Sequence, residues 1–244
     1  MRKLIDLLIE FYLMPLWFSN RLAIYVKGRI LRYNEHYTAT IDVIRRKFST
    51  SSGVIIDIGA FNADSVVYFA RFLPHHRIMA FEPNPIPFAK GVVNSRPYKN
   101  IESYNLGFSD IAGEVDFYLT NDFASSSLFD PELNSELKLR SKIKVKVETL
   151  DSFFKTIDKV ILIKLDVQGA ELNILKQGKL TLKKTKLVLT EMLISKIYKG
   201  GCNYYEVDEF LRENGFVIHS IFSSYNNEGT KYFDVLYINQ DLSL

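Results

Sequence analysis

Short apolar runs rich in β-branched residues recur from residue 54 onward, with helical patterns filling most of the intervals between them. The runs are 54–58 (VIIDI), 77–81 (RIMAF), 101–106 (IESYNL), 160–166 (VILIKLD), 186–191 (KLVLTE), 216–221 (FVIHSI) and 232–238 (YFDVLYI); the helical stretches are 64–73, 85–95, 170–178 and 204–214. Short β-branched strands alternating with helices build a parallel sheet buried on both faces. The expected fold is α/β, doubly wound, with a mostly parallel seven-stranded sheet.

The pattern changes between the third and fourth runs. GEVDFYL (113–119) and KIKVKVETL (142–150) alternate apolar and polar residues, which predicts two half-exposed antiparallel strands flanking a loop that contains ASSSLFD (124–130). This insert lies where a lid could sit. The stretch FSSYNNEGT (222–230) carries turn-forming residues and predicts a hairpin loop between the last two strands.

A chain of 244 residues holds one large α/β domain, and 47% hydrophobic with 24% charged residues is ordinary for a soluble globular protein. The net charge of +3, from 31 basic and 28 acidic residues, argues for no nucleic-acid surface. Cys202 is the single cysteine and the four histidines form no ligand spacing, so neither an intrachain disulfide nor a histidine-based zinc site is expected, and a reducing, cytoplasmic setting fits.

Residues 1–50 are read as a helical extension and 51–244 as the main domain. The extension carries nine Lys/Arg against four acids. Within it, residues 4–26 are apolar, but Asp6, Glu10, Asn20 and Arg21 interrupt any clean span, and no small-residue cleavage site follows. Two readings remain for residues 1–26. An amphipathic segment bent near Pro15 packs on the domain or on a second subunit, or it seats Trp17 and Phe18 at a bilayer surface as a peripheral contact.

Ligands of open parallel sheets lie beyond the carboxyl ends of the strands, where strand order reverses. The first run ends at Asp57-Ile58-Gly59, and Gly59 permits a sharp turn that points the next helix's amides at a ligand. Glu82 follows Gly59 by 23 positions, at the end of the second run, where an acid accepts hydrogen bonds from ribose hydroxyls. Pro83 and Pro85 stiffen the loop that presents it. A pyrophosphate must lie against bare backbone, and Phe61 and Ala63 stand where further glycines would be needed. The turn therefore points to S-adenosylmethionine over a dinucleotide. In the fourth run, Lys164 and Asp166 share one face of a buried strand and call for pairing or a ligand; Gly169 permits a turn, Glu171 opens the next helix, and Glu191 ends the fifth run.

The ordered set VIIDIGAFNADS (54–65), AFEPNP (80–85), NLGFSDIAGEVDFYL (105–119), SSL (126–128), VETLDSFF (147–154), LIKLDVQGAELNILKQG (162–178) and LVLTEM (187–192) resembles the FkbM family of S-adenosylmethionine-dependent methyltransferases over roughly residues 53–195. The resemblance implies a class I methyltransferase (Rossmann-like) sheet, with Asp57, Gly59, Ala60, Phe61, Asn62, Ala63 and Ser65 around the methionine part of the cofactor. It further implies Glu82 on the ribose with Pro83 and Asn84 beside it, and Ser109 and Asp110 near the adenine. Gln168 stands where the family commonly has glutamate, and Phe61 and Ala63 where asparagine and glycine are more frequent.

What the resemblance implies for activity is O-methylation of a sugar or glycan hydroxyl, in polysaccharide or glycolipid synthesis. The acceptor would be lipid-linked if the N-terminal segment touches a membrane. Asp166 is the expected base or hydroxyl-orienting group, supported by Lys164, Glu171 and Glu191. A divalent ion between Asp166 and Glu191 is compatible with this arrangement but not specified by it. The alternatives are a nonsugar acceptor, such as a polyketide, lipid or peptide, and a weakly catalytic cofactor-binding scaffold.

Overall fold

Strand β1 (Val54–Ile58) is buried at every position because it pairs in parallel on both sides, with β2 (Arg77–Phe81) and β7 (Val160–Leu165). The computed structural model describes residues 35–49, 51–133, 135–223 and 231–242. Beyond β2 lies β3 (Ile101–Tyr104), and beyond β7 lie β8 (Thr185–Leu193), β10 (Tyr232–Asn239) and β9 (Phe216–Ser223). The sheet order is thus β3-β2-β1-β7-β8-β10-β9, with β10 the antiparallel member. The chain moves outward one way from β1 and the other way from β7, so the topological switch point lies between these two strands.

Period-two side-chain alternation sorts the core into two layers. Ile56, Ile58, Phe81, Ile163 and Leu165 pack toward α5 (Glu171–Lys176) and α7 (Tyr204–Glu213). Ile55, Ile78, Leu162 and Leu189 pack toward α1 (Glu35–Lys47) and α2 (Asp64–Phe72). Ile41 and Ile44 of α1 and Phe48 just after it belong to this second layer, so the end of the N-terminal extension shares the core of the sheet domain. Helix α3 (Pro85–Ser95) begins where Asn84 Oδ1 accepts from the Ile86 amide at 3.2 Å, with proline at N1.

The expected strand 101–106 is interrupted at Asn105, whose side-chain amide donates to the carbonyls of Glu82 and Pro83, both at 2.9 Å; the chain resumes as the two-residue strand β4 (Gly107–Phe108). The expected helix 170–178 is shorter, closing at Lys176, with α6 (Lys179–Leu182) following. The insert forms as the alternation predicts: β5 (Gly113–Thr120) pairs antiparallel with β6 (Leu139–Glu148), and β4 completes a three-stranded sheet. A short helix, α4 (Leu150–Phe153), follows and joins an aromatic cluster of Phe81, Tyr104, Phe108, Phe153 and Phe154 that fastens the insert to the main sheet. Strands β9 and β10 pair antiparallel, as a hairpin requires, while loop residues 224–230 and the amphipathic segment at 1–26 lie outside the described residues. No helix among the described residues is long and apolar enough to cross a membrane.

Candidate active site

The carboxyl ends of the central strands open onto a cavity of about 870 Å³. β1 delivers Asp57, fully buried, whose two carboxylate oxygens are both used: one accepts from the Ser65 hydroxyl and the other lies 3.2 Å from Lys164 Nζ. Asp57 and Lys164 are register partners across the β1–β7 pair, so parallel pairing itself sets them side by side. Lys164 Nζ also lies 3.5 Å from Asp166 Oδ2. Burial works against the ammonium, yet the charges of Asp57, Tyr37 and Asp166 outweigh it and hold Lys164 protonated well above the ordinary lysine range.

The turn after β1 follows a glycine path that only one glycine occupies. At Gly59, φ is +84° and a Cβ would fall 1.9 Å from the Asp166 carbonyl oxygen, so no side chain fits there. Phe61 and Ala63 take φ of 49° and 68°, left-handed values that cost a residue with a Cβ roughly 1–2 kcal/mol each. The path is kept by hydrogen bonds. The Gly59 and Ala60 amides donate to Phe81 O at 3.0 and 2.9 Å, and the Phe61 amide donates to Glu82 Oε2 at 2.9 Å. Glu82 Oε1 accepts from the Asn84 amide at 2.8 Å. Burial pushes the Glu82 carboxyl up to about 7, opposed by these two amides and reinforced by the charges of Asp57 and Asp166. Asn84 Nδ2 beside it is buried without a hydrogen-bond partner.

On the opposite wall Gln168, itself left-handed at φ 57°, organises the carboxylates. Its Nε2 donates to Asp166 Oδ1 at 3.0 Å and Glu191 Oε2 at 2.7 Å, occupying the place between the two carboxylates where a cation would stand. Its Oε1 lies 2.9 Å from the Tyr198 hydroxyl, which is also 2.8 Å from the Ser125 carbonyl of the insert, and its carbonyl accepts from Ser127 Oγ at 2.7 Å. Both amide hydrogens thus have a partner, and the amide oxygen shares the single Tyr198 hydroxyl hydrogen with the Ser125 carbonyl. Among the described residues no group of three or more His, Cys, Asp or Glu is arranged to hold a metal ion.

Of the residues expected around a cofactor, Gly59, Ala60, Phe61, Asn62, Ser65, Glu82 and Pro83 line the cavity. Asp57, Ala63 and Asn84 are buried but not part of its lining. Ser109 and Asp110 bond to each other at 2.9 Å off the lining, and Gly107 and Phe108 stand on the wall instead. Lys164, Asp166 and Glu191 face the cavity; Glu171 does not. Its two oxygens accept from the amides of Val167 and Gly169 at 3.1 and 3.0 Å, which makes it a brace for the turn that carries Gln168. Cys202 Sγ donates to the same carboxylate at 3.5 Å, and burial raises the thiol to about 12.

Asp234 and His36 are among the cavity residues that were not read from the sequence. Asp234 lies opposite Glu191 in the antiparallel β8–β10 register, two acids facing each other. Burial first, then the Asp166 charge, pushes Asp234 up to about 7, and burial with the charges of Asp166 and Asp234 carries Glu191 well above the ordinary range. His36 of α1 stands 3.7 Å from Asp234, and burial and the Lys164 charge lower it to about 4, so it is neutral at physiological pH. The one signal for Asp234 was a lone acid within the apolar run YFDVLYI; nothing local marks His36.

The size of the cavity lies in the range of about 300–1,000 Å³ common for small-molecule sites. Six carboxyl groups and one lysine line it; with Glu82, Glu191 and Asp234 raised and His36 neutral, Glu35, Asp64 and Asp166 stand against Lys164, a charge set that suits a cationic sulfonium better than a pyrophosphate. The description Methyltransferase FkbM domain matches residues 57–218. The 2-O-methyltransferase NoeI of Sinorhizobium fredii is 29% identical over 160 residues, 60% of this chain and 66% of that protein, so the match spans just under two thirds of the relative's length. Magnesium protoporphyrin IX methyltransferase (ChlM) from Synechocystis PCC 6803, solved with bound SAM, superposes with a TM-score of 0.52 at 8% identity over 98% of this chain and 97% of that one, which shows a shared fold. TrmK of M. capricolum, in complex with S-adenosylhomocysteine, has a TM-score of 0.49 at 11% identity over 84% of this chain and 68% of that one.

Proposed function

The chain belongs to the FkbM methyltransferase family and uses S-adenosylmethionine, and on that premise we propose that it transfers the methyl group to a sugar or glycan hydroxyl. The observation that carries the reading is Asp166: a carboxylate at the carboxyl end of β7, 38% exposed at its side chain, held toward the cavity by Lys164 and Gln168. The likeness to a 2-O-methyltransferase supports a hydroxyl as the acceptor group. When bound, S-adenosylmethionine supplies an electrophilic methyl on a sulfonium.

The residues then divide the work. Glu82 lines the cavity, and its carboxylate oxygens, each already accepting one amide, have lone pairs left to accept from the ribose hydroxyls. Gly59, Ala60 and Phe61 form the backbone wall beside the methionine portion. The acceptor hydroxyl's proton passes to Asp166 as the new carbon–oxygen bond forms and the carbon–sulfur bond breaks, leaving a neutral thioether. Lys164, 3.5 Å away, sets a positive charge beside Asp166, and Gln168 fixes its orientation. Much of the rate comes from alignment and exclusion of water. The same reading takes residues 51–244 with the docked helix α1 as the catalytic unit, acting in the cytoplasm on polysaccharide or glycolipid precursors.

Calorimetric titration of S-adenosylmethionine into the wild type and Glu82→Ala tests the cofactor site, with micromolar binding expected and lost in the variant. Transfer of isotope-labelled methyl to a panel of sugars, glycans and nonsugar alcohols tests the acceptor. Label confined to nonsugar alcohols would overturn the sugar assignment.

A further inference from the structure

A second cavity of about 650 Å³ lies between the insert, the end of β8 and the start of β10. It shares Ala124, Asp166, Gln168, Glu191 and Tyr232 with the first cavity, so the two meet at the carboxylate assigned the acceptor's proton. The donor-side landmarks, Gly59 to Asn62 with Asp64, Ser65 and Glu82, belong to the first cavity and none to the second. Gln168 lines both cavities, and Tyr198, hydrogen-bonded to it, lines the second.

The lining of the second cavity states what can enter. Tyr232, 46% exposed, stands at the lip common to both cavities and presents an aromatic face of the kind that covers the C–H face of a pyranose. Asp122, Glu132 and Glu136 also line the second cavity; Lys231 pairs with Glu136 at 2.8 Å, and Lys196 has no opposing carboxylate in ion-pair range among the described residues. Leaving out Glu82, Glu191 and Asp234, whose carboxyls burial raises, the lining of the two cavities carries six carboxylates and three lysines, although the whole chain is net positive at +3. Phosphodiesters, nucleotide sugars and uronates would bring like charge into this field, whereas hydroxyls and ammonium groups find acceptors.

We propose that the second cavity is the acceptor site, that Tyr232 is its stacking platform, and that it takes uncharged or amine-bearing glycans and excludes anionic ones. This rests on the methyltransferase reading of the first cavity. It sets the acceptor between the insert and the β8–β10 edge, with the reacting hydroxyl reaching Asp166 past Gln168. The groups that decide the charge class are carboxylates contributed by separate elements: Asp122 from the loop after β5, Glu132 and Glu136 from the segment before β6, and Asp166 at the end of β7.

The test uses the full chain saturated with S-adenosylhomocysteine, with glycan binding followed by saturation-transfer NMR. The probes are three trisaccharides of equal length: chitotriose as the N-acetylated neutral form, its de-N-acetylated amine form, and trigalacturonate. The neutral and amine probes should bind and trigalacturonate should not. Tyr232→Ala should weaken glycan binding at least fivefold with S-adenosylhomocysteine affinity unchanged, and Tyr232→Phe should restore it, since stacking needs the ring and not the hydroxyl. Trigalacturonate binding as well as the neutral probe, Tyr232→Ala binding like wild type, or no glycan bound to the loaded protein would each overturn the proposal. Failure of the folded protein to bind S-adenosylhomocysteine would instead bring down the cofactor reading, and this proposal with it.

Discussion

Lys164 and Asp57 face each other across the β1–β7 pairing with Nζ 3.2 Å from Oδ1, their side chains only 6% and 0% exposed. Removing one partner leaves the other charge stranded in the core, which costs about 3–5 kcal/mol. Lys164→Met should lower the urea midpoint accordingly. The double variant Lys164→Met with Asp57→Asn should recover part of the loss, because the Asn side chain still accepts from Ser65 and no bare charge remains. Equal instability of the single and double variants would show that the pair is not what holds the two strands' ends.

Gly59→Ala should be far more damaging than its size suggests, since the added Cβ meets the Asp166 carbonyl at 1.9 Å. Loss of more than about 2 kcal/mol in denaturation is expected, with S-adenosylmethionine affinity down at least tenfold. Gly113→Ala is the control. It also stands at positive φ, +135°, but nothing lies within 4 Å of its would-be Cβ, so its cost should be confined to backbone strain.

Stability should fall as pH rises from about 5 to 8. Glu82, Glu171 and Asp234 keep their protons up to about 7 when folded, but release them near the ordinary carboxylate values when unfolded. Between those limits the folded chain binds more protons, so raising the pH favours unfolding. His36, lowered to about 4, and His76, lowered as well, act in the opposite direction below the ordinary 6.5, but they are two groups against these three carboxyls and Glu191, which burial raises too. Melting temperatures across this range give the slope, and Glu82→Gln should reduce it. A flat profile would contradict the protonation of these buried carboxyls.

Asp166→Asn should lower kcat by about 10²–10⁴-fold while leaving calorimetric S-adenosylmethionine affinity within twofold of wild type. A matched loss of affinity would place Asp166 in donor binding instead.

Gln168→Glu replaces the donor between Asp166 and Glu191 with a third carboxylate. The variant should melt lower than wild type without metal and regain stability on addition of millimolar magnesium or calcium, a response the wild type should lack. Melting curves with and without the cation decide this. No cation effect on the variant would mean that the three carboxylates relieve their repulsion by holding protons.

Much of the fold was legible because it depends on local pattern. The runs VIIDI and RIMAF mark their strands to the residue, and the helix expected at 85–95 forms over Pro85–Ser95. The acids at strand ends were legible for the same reason: a charge closing an apolar run has to sit at the rim of a parallel sheet, and Glu82, Asp166 and Glu191 all face the cavity. Glu171 looked similar in sequence but was turned away, because the tight turn at Gly169 offers two unpaired amides that its carboxylate satisfies.

The alternation of strands and helices, the insert, and the line of acids at the carboxyl ends were therefore determined by the sequence alone, since each follows from side-chain periodicity and turn chemistry within a few residues. The facing of Asp234 against Glu191, the arrival of His36 at the same wall, and the reach of Ser125 and Ser127 to Gln168 were decided only by tertiary structure. Antiparallel register and the docking of α1 and the insert are set by burial of apolar faces far apart in the chain, and no local window contains that information.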